Sequence, residues 1–215
     1  ATGSAALQET FFSWEDDQVN LEFDGPDATD LAHRYLYGPA IDQILADENA
    51  LNEVIWPLTD HLGTPRDLAE YDSGTNTTTA LNHRIFDSFG QLISQTNGSF
   101  TIAIGFTGVF FDISTGFNYH RARWLDVKTG QWLSEDPIGF EAGDGNIRRY
   151  VGNSPIGRLD PDGLEEVPVP TLDQGAFPAD SFWNGSSQPF GNGSTFAKPD
   201  EIERTANPLL VDALK

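Results

Sequence analysis

Cysteine is absent from this chain, and so is methionine. No disulfide framework and no thiolate chemistry can exist here, although a chain without disulfides fits either side of a cell membrane. The missing initiator methionine reads as a piece taken from a longer protein. Cations are scarce. Twelve Lys and Arg stand against 33 Asp and Glu, for a formal charge of −21, which disfavours nucleic-acid binding along a phosphate backbone. Long apolar runs are missing too: no segment approaches membrane-spanning length, and the opening ATGSAALQETFFSWEDD has no basic stretch followed by an apolar one. The four histidines, His33, His61, His83 and His120, lack HxH or HxxxH spacing, so packing or surface roles are expected and no metal or cofactor is assigned. Acidic residues come in short groups such as Glu15-Asp16-Asp17 and Asp47-Glu48 and read as a solvated acidic surface; calcium at clustered loop carboxylates is the rival reading, although none follows an EF-hand loop.

What the chain does have is punctuation. With 21 Gly and 13 Pro against 38% apolar and 12% aromatic residues, it reads as mainly β, built from short strands and tight turns. Val19 to Phe23 alternates with period two, as a half-buried strand should. His33 to Tyr37 predicts a strand ending at Gly38-Pro39, with Ile41 to Ala46 as its hairpin partner. Asn52 to Leu58, Thr75 to Phe86 and Gln91 to Gln95 predict further strands. Asn97-Gly98 sits between Gln91–Gln95 and Phe100–Gly105 and predicts a hairpin joining them. Trp124 and Trp132 are expected as core anchors. The sequons at Asn76, Asn97, Asn184 and Asn192 read as turns.

A turn recurs in which an aromatic residue or Leu precedes Asp and a Gly follows three or four positions later. It occurs at Asp87 to Gly90, Asp112 to Gly116 and Asp126 to Gly130. Such repeating strand–turn–strand units need neighbours stacked beside them. Two Asp-Pro-X-Gly tetrads extend the series, Asp136-Pro137-Ile138-Gly139 and Asp160-Pro161-Asp162-Gly163. Each is a turn signal: Pro pre-sets φ, Asp bonds the backbone two residues on, and Gly accepts positive φ. They can be ordinary turns. They can equally bring together two carboxylates that cannot ionise independently, the basis of acid–base work on a peptide bond.

Around the tetrads lie Arg123-Trp124-Leu125-Asp126, Thr129 to Ser134, Gly143 to Asn146 and Arg149 to Pro155, and then the closing Asp160 to Leu164. Upstream stand Arg34 to Pro39, Asp60 to Arg66 and Phe86 to Gly90. In this order the phrases resemble those of RHS/YD-repeat proteins, whose members include bacterial RHS proteins, C components of insecticidal toxin complexes, wall-associated proteins and, more distantly, teneurins. The resemblance spans roughly residues 14–164.

The resemblance implies a fold in which YD-repeat hairpins wind into a β-spiral shell and the core-associated domain curls inward to plug one end. On that reading, residues 1–13 are a lead-in, 14–105 the YD-repeat hairpins, 106–164 the RHS repeat-associated core domain and 165–215 a variable tail. It also implies single-turnover autoproteolysis of the aspartic-peptidase kind by Asp136, Asp160 and Arg123, with the cut between Leu164 and Glu165. One aspartate would act as base on a water while the other, protonated, polarises the scissile carbonyl. Arg123 would stabilise the oxyanion or orient a carboxylate, and Asp162 is expected to face solvent. The implied partners are the chain's own upstream repeats, the C-terminal segment, and a toxin-delivery or cell-surface partner of a secreted or surface-exposed bacterial protein. From Glu165 the sequence turns rich in Pro, Gly, Ser and Asn and reads as irregular, apart from a helix over Glu201 to Lys215 broken by Pro208. A second class of function remains open: a non-cleaving structural or adhesive YD-repeat module, in which the tetrads are turns alone.

Overall fold

Eight antiparallel strands in plain succession make the first sheet. The computed structural model describes residues 9–15 and 17–169. The expected irregular tail beyond residue 169, its helix, the sequons at Asn184 and Asn192, and most of the lead-in lie outside the described residues. The strands are β1 (Phe11–Glu15), β2 (Gln18–Phe23), β3 (Leu31–Tyr37), β4 (Ile44–Asn49), β5 (Val54–Thr59), β6 (Pro65–Asp72), β7 (Thr77–Phe86) and β8 (Leu92–Gln95). Each pairs with its chain neighbour, so every register is set by a local turn. Among the described residues no helix is long and apolar enough to cross a membrane.

The turns work as the aspartate series predicts. The Oδ1 atoms of Asp87, Asp112 and Asp126 accept the backbone N–H two residues on, from Phe89, Ser114 and Lys128, at 2.9, 2.9 and 3.0 Å. Asp60 does the same for Leu62, and Pro65 then opens β6 as a strand's first residue, where its missing N–H costs nothing.

The core of this sheet takes Val19, Tyr35, Ile44, Ile55 and Leu68 from β2 to β6, with Ile102 and Ile104 packed against them. Those last two come from the segment expected to pair with β8, and here the sequence reading is corrected: Phe100–Gly105 forms no strand. The alternation is genuine but serves another purpose, since Ile102 and Ile104 cover the sheet face instead of extending its edge. Burying each contributes about 2 kcal/mol. The chain is steered there by Asn82, which is fully buried. Its Nδ2 donates to the Gln95 side chain and the Phe100 carbonyl, both at 3.0 Å, and its Oδ1 accepts the Asn97 N–H at 3.0 Å. The Asn97-Gly98 turn thus bends over the sheet rather than closing a hairpin. The β3–β4 hairpin forms, but its second strand begins at Ile44, because Asp42 adopts a positive φ of 53°. Strands β1 and β6 were not predicted.

A second sheet follows in the order β12 (Gln131–Trp132), β11 (Arg123–Asp126), β10 (Phe117–His120) and β9 (Phe110–Asp112). It rests on a core of Leu62, Phe106, Leu125, Val127, Trp132, Tyr150 and Val151. Trp132 is an anchor as expected, 2% exposed, whereas Trp124 is only half-buried. Last come β13 (Arg158–Leu159) and β14 (Val167–Pro168), paired antiparallel, Arg158 with Pro168 and Leu159 with Val167. Val169 N–H donates to the Gly157 carbonyl at 3.0 Å, and Arg158 pairs with Glu166. The loop these two strands close contains the whole second tetrad.

Candidate functional site

Arg123 is the first residue of β11, and strand alternation turns its side chain into the protein, where it is 3% exposed. Its guanidinium lies over the Trp132 ring, 4.2 Å from the centroid, a face that attracts a cation. The planar fork is then shared out. Nη1 makes an ion pair with Asp136 Oδ2 at 2.9 Å, and Nη2 one with Asp160 Oδ2 at 3.1 Å. Nε donates to the Gly163 carbonyl at 2.6 Å. One guanidinium therefore holds both tetrad aspartates, whose side chains are 6% and 4% exposed.

Each aspartate also keeps a turn role. Asp136 Oδ1 accepts the Ile138 N–H at 3.0 Å, the bond seen in the other turns. Asp160 Oδ1 accepts the N–H of Leu164, four residues on, at 3.0 Å, as Asp60 and Asp87 do for Thr64 and Gln91 in addition to their bonds two residues on. Burial pushes the Asp160 carboxyl above its ordinary value, while the Leu164 amide and the Arg123 charge pull the other way. Two carboxylates around one buried cation carry a net negative charge if both ionise, so retention of one proton is favoured. Arg123, Asp136, Asp160, Leu164 and Glu165 all line one cleft of about 480 Å³. The three predicted site residues and both sides of the Leu164–Glu165 bond thus share one cavity. The Asp162 side chain is 60% exposed.

The second tetrad is held by its carbonyls. Four consecutive residues at the β10–β11 turn donate to four consecutive carbonyls: His120 Nδ1 to Asp160 at 2.7 Å, Arg121 Nη1 to Pro161 at 2.6 Å, the Ala122 backbone N–H to Asp162 at 3.1 Å, and Arg123 Nε to Gly163. Gly163, at φ +67°, lies so close to this turn that a Cβ there would come within 2.5 Å of the His120 carbonyl. Only glycine meets both demands.

His120 was expected in a packing role and does pack, edge-on to Trp132 and Tyr150 with centroids 5.1 and 5.8 Å away. It also belongs to the site, which the sequence reading missed. The ring is fully buried, and burial lowers its pKa to about 4, opposed by the bond to the Asp160 carbonyl and reinforced by the charges of Arg121 and Arg123. A carbonyl only accepts, so the proton of the neutral ring sits on Nδ1. Nε2 has no partner among the described residues. The available signal was His-Arg-Ala-Arg itself, two cations one residue apart in a chain poor in them.

The family model described as Teneurin YD-shell matches residues 34–148, more than half of the chain. Salivary gland surface protein 1 of Aedes aegypti is 33% identical over 119 residues, 50% of this chain and 3% of that protein. Double-stranded DNA deaminase toxin A of Burkholderia cenocepacia is 36% identical over 77 residues, 34% of this chain and 5% of that protein. Among solved structures, the TcdB2-TccC3-TEV crystal structure matches with a TM-score of 0.56 at 19% identity, covering 74% of this chain and 8% of that one. That likeness concerns the fold. The chain spans less than a tenth of the length of each of these proteins.

Proposed function

This chain belongs to the teneurin YD-shell family of RHS/YD-repeat proteins, and on that premise we propose that it closes a β-shell and cuts itself once, after Leu164, by an aspartic-peptidase-like reaction. The observation that carries this reading is the single guanidinium shared by Asp136 and Asp160 in the cleft that also holds Leu164 and Glu165.

The division of labour follows from the environments. Asp160, whose pKa is raised by burial, is the member of the pair that keeps a proton for the Leu164 carbonyl. Asp136, paired with the Arg123 guanidinium, serves as the base and takes a proton from a water, whose oxygen bonds to the Leu164 carbonyl carbon. The proton on Asp160 passes to the carbonyl oxygen, giving a neutral tetrahedral adduct flanked by Arg123. Collapse breaks the bond to the Glu165 nitrogen, which takes the proton gained by Asp136, and the adduct hydroxyl returns its proton to Asp160. The products are a Leu164 carboxylic acid and a Glu165 amine, and both aspartates end as they began. Scissile bond and catalytic groups belong to one chain, so the reaction is first order and independent of concentration.

The neighbouring parts of the reading are the upstream repeats that complete the shell, the C-terminal segment that is freed or retained, and a secreted setting. One relative named as a toxin and one named as a surface protein support that setting. The structural-module reading has its own support, since Asp136 and Asp160 also accept backbone N–H groups in their turns. Intact-mass measurement on the longer parent decides between them. Two fragments meeting at Leu164 and Glu165 are expected, and a full-length mass after prolonged incubation at neutral and mildly acidic pH hands the tetrads to the structural module.

A further inference from the structure

The geometry points to the Asp42–Arg121 pair as a positioning element for the cut, a clamp that registers the second tetrad against the first sheet. The inference rests on the self-cleavage reading above. Arg121 reaches three places with one fork. Nη2 donates to Asp42 Oδ1 at 2.8 Å, Nη1 is shared between Asp42 Oδ2 at 3.1 Å and the Pro161 carbonyl at 2.6 Å, and Nε faces Asp162 Oδ1 at 3.7 Å. The bidentate half of this arrangement suits a guanidinium and no other side chain. Both side chains are largely buried, 14% exposed for Arg121 and 8% for Asp42.

Neither residue touches Asp136, the Arg123 fork or the Asp160 carboxylate, so neither enters the chemistry. What the pair fixes is where the tetrad lies. Asp42 belongs to the β3–β4 turn of the first sheet, 79 residues from Arg121, and Pro161 follows Asp160 directly. Both partners sit in the left-handed region, at φ 53° and 58°, a conformation that non-glycine residues keep only where surrounding contacts impose it. The Asp42 turn is itself pressed against Gly108, where a Cβ would come within 2.2 Å of the Asp42 carbonyl. From Asp42 to the bond after Leu164, the chain of contacts runs through Arg121, the Pro161 carbonyl and the Asp160–Leu164 turn bond without a slack link. A cut at this bond is therefore conditional on the sheet: until the β3–β4 turn is formed and docked, the tetrad lacks its second point of support.

The test uses the longer parent protein, made by cell-free translation and followed by pulse labelling, with the rate read per folded molecule. Arg121→Ala is expected to slow cleavage about a hundredfold, the scale of an ångström of misplacement, and Arg121→Lys and Asp42→Asn about tenfold each. Because the catalytic carboxylates are untouched, the pH–rate curve should keep its shape while its ceiling falls, which a mere loss of folded protein would not produce. Arg121→Ala combined with Asp42→Ala should be no slower than Arg121→Ala alone, as expected of two parts of one unit. A folded Arg121 or Asp42 variant cutting within twofold of wild type overturns the clamp. If Arg121→Ala fails to fold, Asp42→Asn carries the test. Should the wild-type parent not cut at all, the cleavage reading fails while the clamp is still measured by hydrogen exchange. The Ala122 and Leu164 amides should then exchange faster in Arg121→Ala than in wild type, and unchanged exchange overturns it.

Discussion

The imidazole of His120 donates its Nδ1 proton to the main-chain carbonyl of Asp160 at 2.7 Å, while its own ring is sealed from solvent. A ring so placed titrates at about 4 in the folded protein and near 6.5 once unfolded. The folded pKa is lowered, so the unfolded chain binds more protons throughout that window. Stability is therefore complete above about pH 6.5 and drains away as pH falls toward 4. The full loss from this one group is roughly 3 kcal/mol. In His120→Asn, whose amide can still donate to Asp160, this slope should disappear from urea midpoints taken across that range. An unchanged slope would place the acid sensitivity elsewhere.

Asp136→Asn and Asp160→Asn should each abolish self-cleavage while leaving a folded domain. An Asn oxygen still accepts the turn N–H from Ile138 or Leu164, but the side chain neither holds nor exchanges a proton at the required pKa. Cleavage is read by intact mass and folding by circular dichroism. Arg123→Lys should cut far more slowly as well, because one ammonium cannot serve two carboxylates and the Gly163 carbonyl together.

Gly163→Ala addresses the close approach at the β10–β11 turn. The added Cβ meets the His120 carbonyl at 2.5 Å and the Arg123 nitrogen at 3.0 Å, at a positive φ. The tetrad must shift or the backbone strain, at a cost of about 2 kcal/mol or more. A lower thermal midpoint with lost cleavage is the expected pair of results. Normal cleavage in a stable variant would mean that the turn and tetrad are less tightly apposed.

Asn82→Ala tests what turns the chain over the first sheet. Losing the amide strands the Asn97 N–H, the Phe100 carbonyl and the Gln95 side chain together. Stability should fall by about 3 kcal/mol in urea unfolding, and Ile102 and Ile104 should lose hydrogen-exchange protection first. Asn82→Asp, which keeps an acceptor for Asn97 but loses the donor to Phe100, should fall between.

The sheet was legible where one face alternates with the other. Val19–Phe23 carries that period, His33–Tyr37 is rich in aromatics and Thr75–Phe86 in β-prone residues, and turn residues mark their ends. Strand β6 hid behind Pro65 and a charged sequence, and β1 is too short and too evenly aromatic to alternate. Phe100–Gly105 misled because a period of two says that one side is apolar, not whether the segment pairs at an edge or lies across a face. At the site, Arg123, Asp136 and Asp160 could be found because two are turn residues and all three stand in recognisable phrases. His120, and Arg121 with Asp42, could not, since contacts 40 and 79 residues apart leave no spacing to read.

The short ladder of β13 and β14 separates two events that are easily treated as one. Its rungs join Leu159 to Val167 and Arg158 to Pro168, on opposite sides of the Leu164–Glu165 bond. Hydrolysis there would nick a loop without parting its limbs, exchanging a covalent tether for a handful of main-chain hydrogen bonds and one solvent-exposed ion pair. Two strands of this length are marginal by themselves, so detachment of the new amino terminus would be a dissociation with its own rate, indifferent to the aspartates. The chemistry would decide when the chain is broken, and the unzipping of four residues when its halves part.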